Sequence, residues 1–173
     1  EFVYEGLNTQ LKYGATLTYP NNAEKHPLVI LITGSGMKDR DETIFDHKPF
    51  AVIADYLTKK GFAVLRVDDR GAGKSTGDFT NSTTADFALD VEEHIRYAKT
   101  LPFIDTTKIG LLGHSEGGLI APMVAARNKS VAFIILMAGP GIEINELMAV
   151  QNEMVLKSAG ISQSAIDAYI PLY

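Results

Sequence analysis

The sequence predicts an α/β fold, a mostly parallel sheet wound with helices on both faces, and three observations carry that expectation. Four apolar runs lack the alternation of a half-exposed strand: "LVILIT" (28–33), "FAVLRV" (62–67), "KIGLLG" (108–113) and "VAFIILMA" (131–138). A strand covered on both faces needs such an unbroken run. Segments of helical periodicity separate the four, and strands that alternate with helices build a parallel sheet. One run also opens into "GLLGHSEGGLIAP" (110–122), where a strand breaks at a glycine-rich turn and a helix begins.

Each element has its own pattern. In "LKYGATLTY" (11–19), Leu11, Tyr13, Ala15, Leu17 and Tyr19 fall on one side, and this period of two predicts a half-buried antiparallel strand. "PNNAEKHP" (20–27) is a turn-rich break before the first buried run. Within 49–60, Phe50, Ile53, Ala54 and Leu57 share a helical face, and within 84–99 Phe87, Val91, Ile95 and Ala98 do the same. The helix after Ser115 carries Leu119, Ile120, Met123 and Val124. Past Gly139-Pro140-Gly141 the alternation stops, and 143–158 and 162–170 read as two helices.

Composition narrows the function classes. The 173 residues are 46% hydrophobic and 21% charged, as in ordinary globular chains. A net charge of −5 without a Lys/Arg run argues against nucleic acid as a partner. The longest apolar run falls far short of the ~20 residues needed to span a bilayer, so no membrane role is expected. Cysteine is absent, which removes disulfides, thiolate catalysis and cysteine-held metals. No signal peptide is visible, but the chain starts with Glu1-Phe2 rather than Met. The natural amino terminus is therefore expected to be missing, and the compartment stays open between cytoplasm and export.

"GAGKST" (71–76) invites comparison with a phosphate-binding loop, but Asp68 stands where that loop needs glycine, and a carboxylate repels phosphate. A glycine-rich turn after a strand is the better reading. "GHSEG" (113–117) fits G-x-S-x-G and sits between a buried strand and a helix, as a nucleophile elbow requires. Ser115 is the candidate nucleophile. Gly113 and Gly117 would let strand and helix approach closely. In "TGSGMKDRDE" (33–42) a second buried strand ends at Gly34-Ser35-Gly36. Small residues there would aim backbone N–H groups at a substrate oxygen. Ser35 is the favoured donor and Gly36 the next, with the N–H of Glu116 completing an oxyanion hole.

"GSGxxDRD", "HKPF" (47–50), "LRVDDRGAGKSTG" (65–77) and "GHSEGG" together resemble the α/β-hydrolase superfamily, in particular the bacterial esterase and acyl-hydrolase branch related to dienelactone hydrolases. The resemblance covers most of residues 11–140. It implies an α/β-hydrolase core over 1–140, with 141–173 as the start of a helical cap over the site. It also implies Ser115 as nucleophile with the backbones of Ser35 and Glu116 as oxyanion donors. Met37 and Glu42 depart from the family's proline and glycine, which touches loop shape more than mechanism.

In this superfamily the acid and then the histidine follow the serine. All four histidines, His26, His47, His94 and His114, precede Ser115. His114 reads as packing beside the strand end, His94 as a surface position on its helix, and His26 as lying at the edge away from the site. His47 follows the oxyanion strand and is a candidate for pocket support. Asp167 falls in the cap helix rather than after a strand. The chain is thus expected to be the amino-terminal part of a larger hydrolase, inactive without the missing acid and histidine, with a truncated sheet edge open to self-association. Arg70 is expected to pair with Asp39 or Asp41 and so support the oxyanion loop; Asp68 and Asp69 read as structural hydrogen-bond partners. No metal or cofactor site is expected.

Three function classes remain open. The leading one is a serine hydrolase that cleaves small-molecule carboxylic esters through an acyl-enzyme. A peptidase of the prolyl-oligopeptidase kind shares the elbow. A non-catalytic binding protein or fragment could keep the fold without a working triad.

Overall fold

The computed structural model describes residues 1–22 and 24–172. They fall into two compact units, Glu1–Gly139 and the segment from Pro140 onward. The first unit contains six strands among the described residues: β1 (Phe2–Glu5), β2 (Lys12–Thr18), β3 (His26–Ile32), β4 (Ala63–Val67), β5 (Ile104–His114) and β6 (Val131–Met137). Three helices alternate with them: α1 (Pro49–Lys59), α2 (Thr84–Ala98) and α3 (Gly117–Arg127).

The strands form one sheet in the order β1-β2-β4-β3-β5-β6. β2 runs antiparallel to β1 and to β4, while β3, β4, β5 and β6 are mutually parallel neighbours. The chain therefore steps from β3 to one side through α1, then crosses back through α2 to reach β5 on the other. The reversal at β3 makes a topological switch, and the crevice outside the strand ends at such a point is where ligands bind in open α/β sheets. Gly34 and Ser115 leave the sheet at the ends of β3 and β5.

Adjacent residues of the buried strands feed two cores. Leu28, Ile30, Ile32, Leu65 and Leu111 pack with Ala88, Val91 and Ile95 of α2 and Ile120, Ala121 and Val124 of α3. Val29, Leu31, Val64 and Leu112 pack on the opposite face with Phe50 and Ala54 of α1. An unbroken apolar run is thus the signature of a strand that feeds both layers. α2 starts on a capping box, in which Thr83 and Asp86 exchange side-chain-to-backbone bonds.

Four features differ from expectation. Residues 2–5 form a strand, β1, that their short length does not announce. β6 is a strand but not a covered one: Ile134, Ile135 and Leu136 are 37%, 43% and 48% exposed. Apolar composition marks the strand, whereas its cover depends on what pairs or packs beside it, and β6 closes the sheet among the described residues. Met123 turns outward on α3, with Ala121 on the inner face instead. His94 is buried rather than at the surface, because its face of α2 packs on β1 and β2.

There it shares a 2.7 Å hydrogen bond between Nδ1 and Tyr4 Oη, and its ring meets Tyr13 edge-on at 4.9 Å. Tyr97 stacks on Tyr4 at 4.0 Å between centroids.

In the second unit, α4 (Ile144–Ser158) and α5 (Gln163–Tyr169) lead into a 3-10 turn, Ile170–Leu172. α4 buries no residue, while Ile166 of α5 is 1% exposed. No helix among the described residues is long and apolar enough to cross a membrane.

Burial pushes the pKa of His94 down from 6.5 to about 4, against the smaller opposing pull of Asp90 and Glu93. The unfolded chain therefore binds a proton between pH 6.5 and 4 that the folded one refuses. Folding stability should fall as pH drops through that window, by on the order of 3 kcal/mol from this one group. Denaturant titrations of wild type and His94→Gln at pH 7 and pH 4.5 should show a smaller pH loss in the variant, and equal losses would remove His94 as the cause.

Candidate active site

Two glycine-lined turns meet at the switch point. At the end of β5, Ser115 sits at φ +50°, a left-handed backbone that a serine adopts only under constraint. The constraint is visible. The Ser115 N–H donates to the Met137 carbonyl of β6 at 3.0 Å, and its own carbonyl accepts from Gly118 at 2.8 Å. A Cβ on Gly113 would overlap the Gly117 carbonyl, and a Cβ on Gly117 would overlap the carbonyl of Ile32 in β3. Strand, turn and helix therefore touch backbone to backbone.

The loop after β3 presses against this elbow. A Cβ built on Gly34 would lie 3.0 Å from the Ser115 Cβ, 3.1 Å from His114 Nδ1 and 3.2 Å from Glu42 Oε1. Gly34 donates its N–H to Glu42 Oε1 at 2.8 Å, so that group is spent. Among the described residues, no hydrogen bond occupies the N–H of Ser35, Gly36 or Glu116. Ser35 and Gly36 are exposed, and Gly36 takes φ +83°. The Glu116 carboxylate turns aside to accept from Thr84 Oγ1 at 2.7 Å.

Carboxylates on the neighbouring loops hold the Gly34–Met37 segment in place. Thr33 Oγ1 and the Lys38 N–H, on either side of it, donate to the two oxygens of Asp69 at 2.6 and 2.8 Å. Burial still pushes the Asp69 carboxyl up to about 6, with the nearby charges of Glu42 and Asp90 adding to the rise. Asp39 caps its own turn, accepting from the N–H groups of Asp41 and Thr43 and from Thr43 Oγ1. Burial works to raise the pKa of Asp39, but the Thr43 bonds bring it below the usual carboxylate range.

The expected pairing of Arg70 is corrected here. Arg70 does not reach Asp39 or Asp41; its guanidinium grips Asp90 of α2 at 2.7 and 2.8 Å and Ser82 at 2.8 Å. Asp90 is buried and also accepts from Tyr13, so it needs the cation where it stands. The loop instead draws on Arg40 and Arg66. Arg40 makes a bidentate pair with Asp68 at 2.9 and 2.6 Å, and Arg66 pairs with Asp41. Burial of Asp68 is outweighed by Arg40 and the Lys74 N–H, which hold its pKa low. Asp68 and Asp69 thus serve as hydrogen-bond anchors.

Among the described residues, none of the four histidines hydrogen-bonds the Ser115 hydroxyl. His26 opens β3 at the far end of the strand, and His94 lies in the tyrosine cluster. His47 is exposed, and its backbone bridges Ile44. His114 directs Nδ1 to Glu42 Oε1 at 2.6 Å. The Glu42 carboxylate was not legible as a site residue; its one signal is an acid where the resembling motif has glycine. A cavity of about 40 Å³ behind the strand ends, lined by Thr33, Gly34, Asp69, Asp90 and Glu116, has the size for ordered water rather than an ester. Among the described residues, no group of three metal-ligating side chains converges.

Comparison with known proteins bears on the family and the fold. The family model for serine aminopeptidases of the S33 type matches residues 47–169. Esterase EstD of Thermotoga maritima is 31% identical over 148 residues, which cover 86% of this chain and 35% of EstD. The structure of Est1E from Butyrivibrio proteoclasticus with ferulic acid bound superposes with a TM-score of 0.62 at 30% identity, over 76% of this chain and 49% of that one. The Pyrococcus furiosus esterase Pf2001 shares the fold at 19% identity, with a TM-score of 0.71 over 99% of this chain and 62% of its own. The chain thus spans about a third of the length of EstD and about half that of Est1E.

The elbow packing separates two kinds of glycine. Gly113→Ala forces a methyl into the Gly117 carbonyl and should destabilise the fold by ~1–3 kcal/mol or more. Gly36→Ala meets nothing within 4 Å, and only its left-handed φ opposes the change, at a cost of about 1 kcal/mol. Urea midpoints of the two variants should differ in that order; the reverse order would refute the packing described.

Proposed function

The chain belongs to the serine aminopeptidase S33 family of α/β hydrolases, and on that premise we propose that it carries the nucleophile and oxyanion hole of a serine carboxylesterase. One observation carries the reading. Ser115 stands on a left-handed turn at the head of α3, against a loop whose next two N–H groups are unbonded. The oxygen of a tetrahedral intermediate on Ser115 would take the N–H of Glu116 and that of Ser35, with Gly36 next to it. Preorganised donors of this kind are worth ~3–4 kcal/mol each to the transition state. Because Gly34 gives its N–H to Glu42, the hole begins one residue later. Esterases among the relatives, and ferulic acid bound to Est1E, support a carboxylic ester of a small molecule as the substrate.

The mechanism needs a base for Ser115, and among the described residues no histidine hydrogen-bonds its hydroxyl. The part matched here is about a third of EstD and about half of Est1E, and on this reading the triad's acid and histidine belong to a portion that follows Ser115 outside it. The acyl-enzyme then forms as that histidine takes the Ser115 proton and hands it to the leaving alkoxide. The superfamily motifs, including those shared with dienelactone hydrolases, fit this order. The family's description favours a second reading, in which the scissile bond is the amide of an amino-terminal residue.

In the protein bearing its full triad, Ser115→Ala should lower p-nitrophenyl ester hydrolysis by ~10⁴-fold or more, with folding retained. Activity within tenfold of wild type would remove Ser115 from the mechanism. Faster turnover of an aminoacyl p-nitroanilide than of the ester would select the peptidase reading. A separate expectation concerns the 173-residue chain: without a histidine partner, Ser115 should label slowly with a fluorophosphonate. Rapid labelling of a species with the intact mass of 18.8 kDa would place a base within these residues, His47 first.

A further inference from the structure

Among the described residues, Glu42 is the only carboxylate that combines three features. It is 1% exposed, its backbone is left-handed at φ +51°, and among the described residues its only ion-pair partner is a histidine. Burying an acid without lysine or arginine is costly, and so is an L-residue in that backbone region. A residue that carries both burdens is held there by what surrounds it. One oxygen does all the bonding: Oε1 accepts from the Gly34 N–H at 2.8 Å and meets His114 Nδ1 at 2.6 Å, while Oε2 is buried with no partner. Gly34 belongs to the loop after β3, and His114 is the last residue of β5, directly before Ser115.

We propose that Glu42 is a positioning residue that fastens the oxyanion loop to the nucleophile elbow by a single carboxylate oxygen shared between Gly34 and His114. For Oε1 to accept from both, His114 must hold its proton on Nδ1, and that tautomer is part of the proposal. The bond to Gly34 fixes the peptide plane between Thr33 and Gly34, and the Asp69 bonds to Thr33 and Lys38 limit how the chain turns from there to the Ser35 N–H. The bond to His114 ties the same oxygen to the elbow. Donor and nucleophile are therefore set against one another before any substrate arrives, which is where an oxyanion hole gains over solvent. The inference deepens the assignment of Ser115 and Ser35 and rests on it.

Two measurements test it. The first is independent of turnover: ¹⁵N NMR of the chain labelled at its four histidines. His114 should appear as the Nδ1–H tautomer in wild type. It should revert in Glu42→Ala to the Nε2–H form that free imidazole side chains prefer, and stay Nδ1–H in Glu42→Gln, whose carbonyl can replace Oε1. An Nε2–H ring in wild type, or one indifferent to Glu42→Ala, overturns the brace. The second uses the protein with its full triad: Glu42→Ala should lower kcat by about tenfold or more with KM little changed, and Glu42→Gln should recover most of the loss. An unchanged kcat in Glu42→Ala, or a loss confined to KM, overturns the positioning role. Should the alanine variant not fold, Glu42→Gly suits the left-handed backbone and carries the same readouts. Ser115→Ala measured alongside keeps the two ideas apart. Persistent hydrolysis there defeats the esterase reading, whereas the tautomer decides the brace by itself.

Discussion

The arrangement at the end of β5 depends on atoms that are absent. Gly113 lets the carbonyl of Gly117 come against the strand, and Gly117 lets the helix seat on the carbonyl of Ile32. With a methyl at either place, α3 would have to lift from the sheet. Ser115 would then lose the left-handed turn that holds its side chain above the strand ends. The same closeness brings the loop after β3 into contact with the elbow, because Gly34 fits between Ser115, His114 and Glu42. Sheet topology supplies the place: both turns leave from strands that flank the switch point, and the chain could bring them together nowhere else in this strand order.

Around that contact lies a layer of buried charge. Asp68 is matched by Arg40 and Asp90 by Arg70 and Tyr13, while Asp69 is served by a hydroxyl and a backbone N–H rather than by a cation. The difference shows in their acidities, since Asp68 is held low and Asp69 is raised to about 6. The pairs with arginine orient the loops rigidly, because a planar guanidinium accepts one geometry. The result is a layer of fixed dipoles beneath the two turns that meet at Gly34 and Ser115.

What was legible in the sequence follows from the range of the interactions. The buried strands and the three core helices announce themselves by local periodicity, and the elbow by a spacing of five residues with glycine at each end. Pairings that span tens of residues do not. Three arginines and several aspartates on the 39–70 loops admit many matchings, and which acid Arg70 meets is decided by the placement of α2. His94 looks like a polar position on a helix until the strand carrying Tyr4, ninety residues earlier, is laid against it. β6 reads as buried because apolar composition reports the strand's affinity for cover, not the cover itself. Glu42 was the least visible, since its role rests on one oxygen reaching two backbone neighbourhoods.

The tyrosine cluster on the amino-terminal side has a spectroscopic consequence. The chain has no tryptophan and seven tyrosines, and three of those, Tyr4, Tyr13 and Tyr97, lie ring to ring across β1, β2 and α2. Stacked, asymmetric phenols of this kind dominate near-ultraviolet circular dichroism. Around 280 nm the protein's signal therefore carries a report on one seam, where the antiparallel hairpin lies against α2. A dye-free optical experiment can watch that seam open.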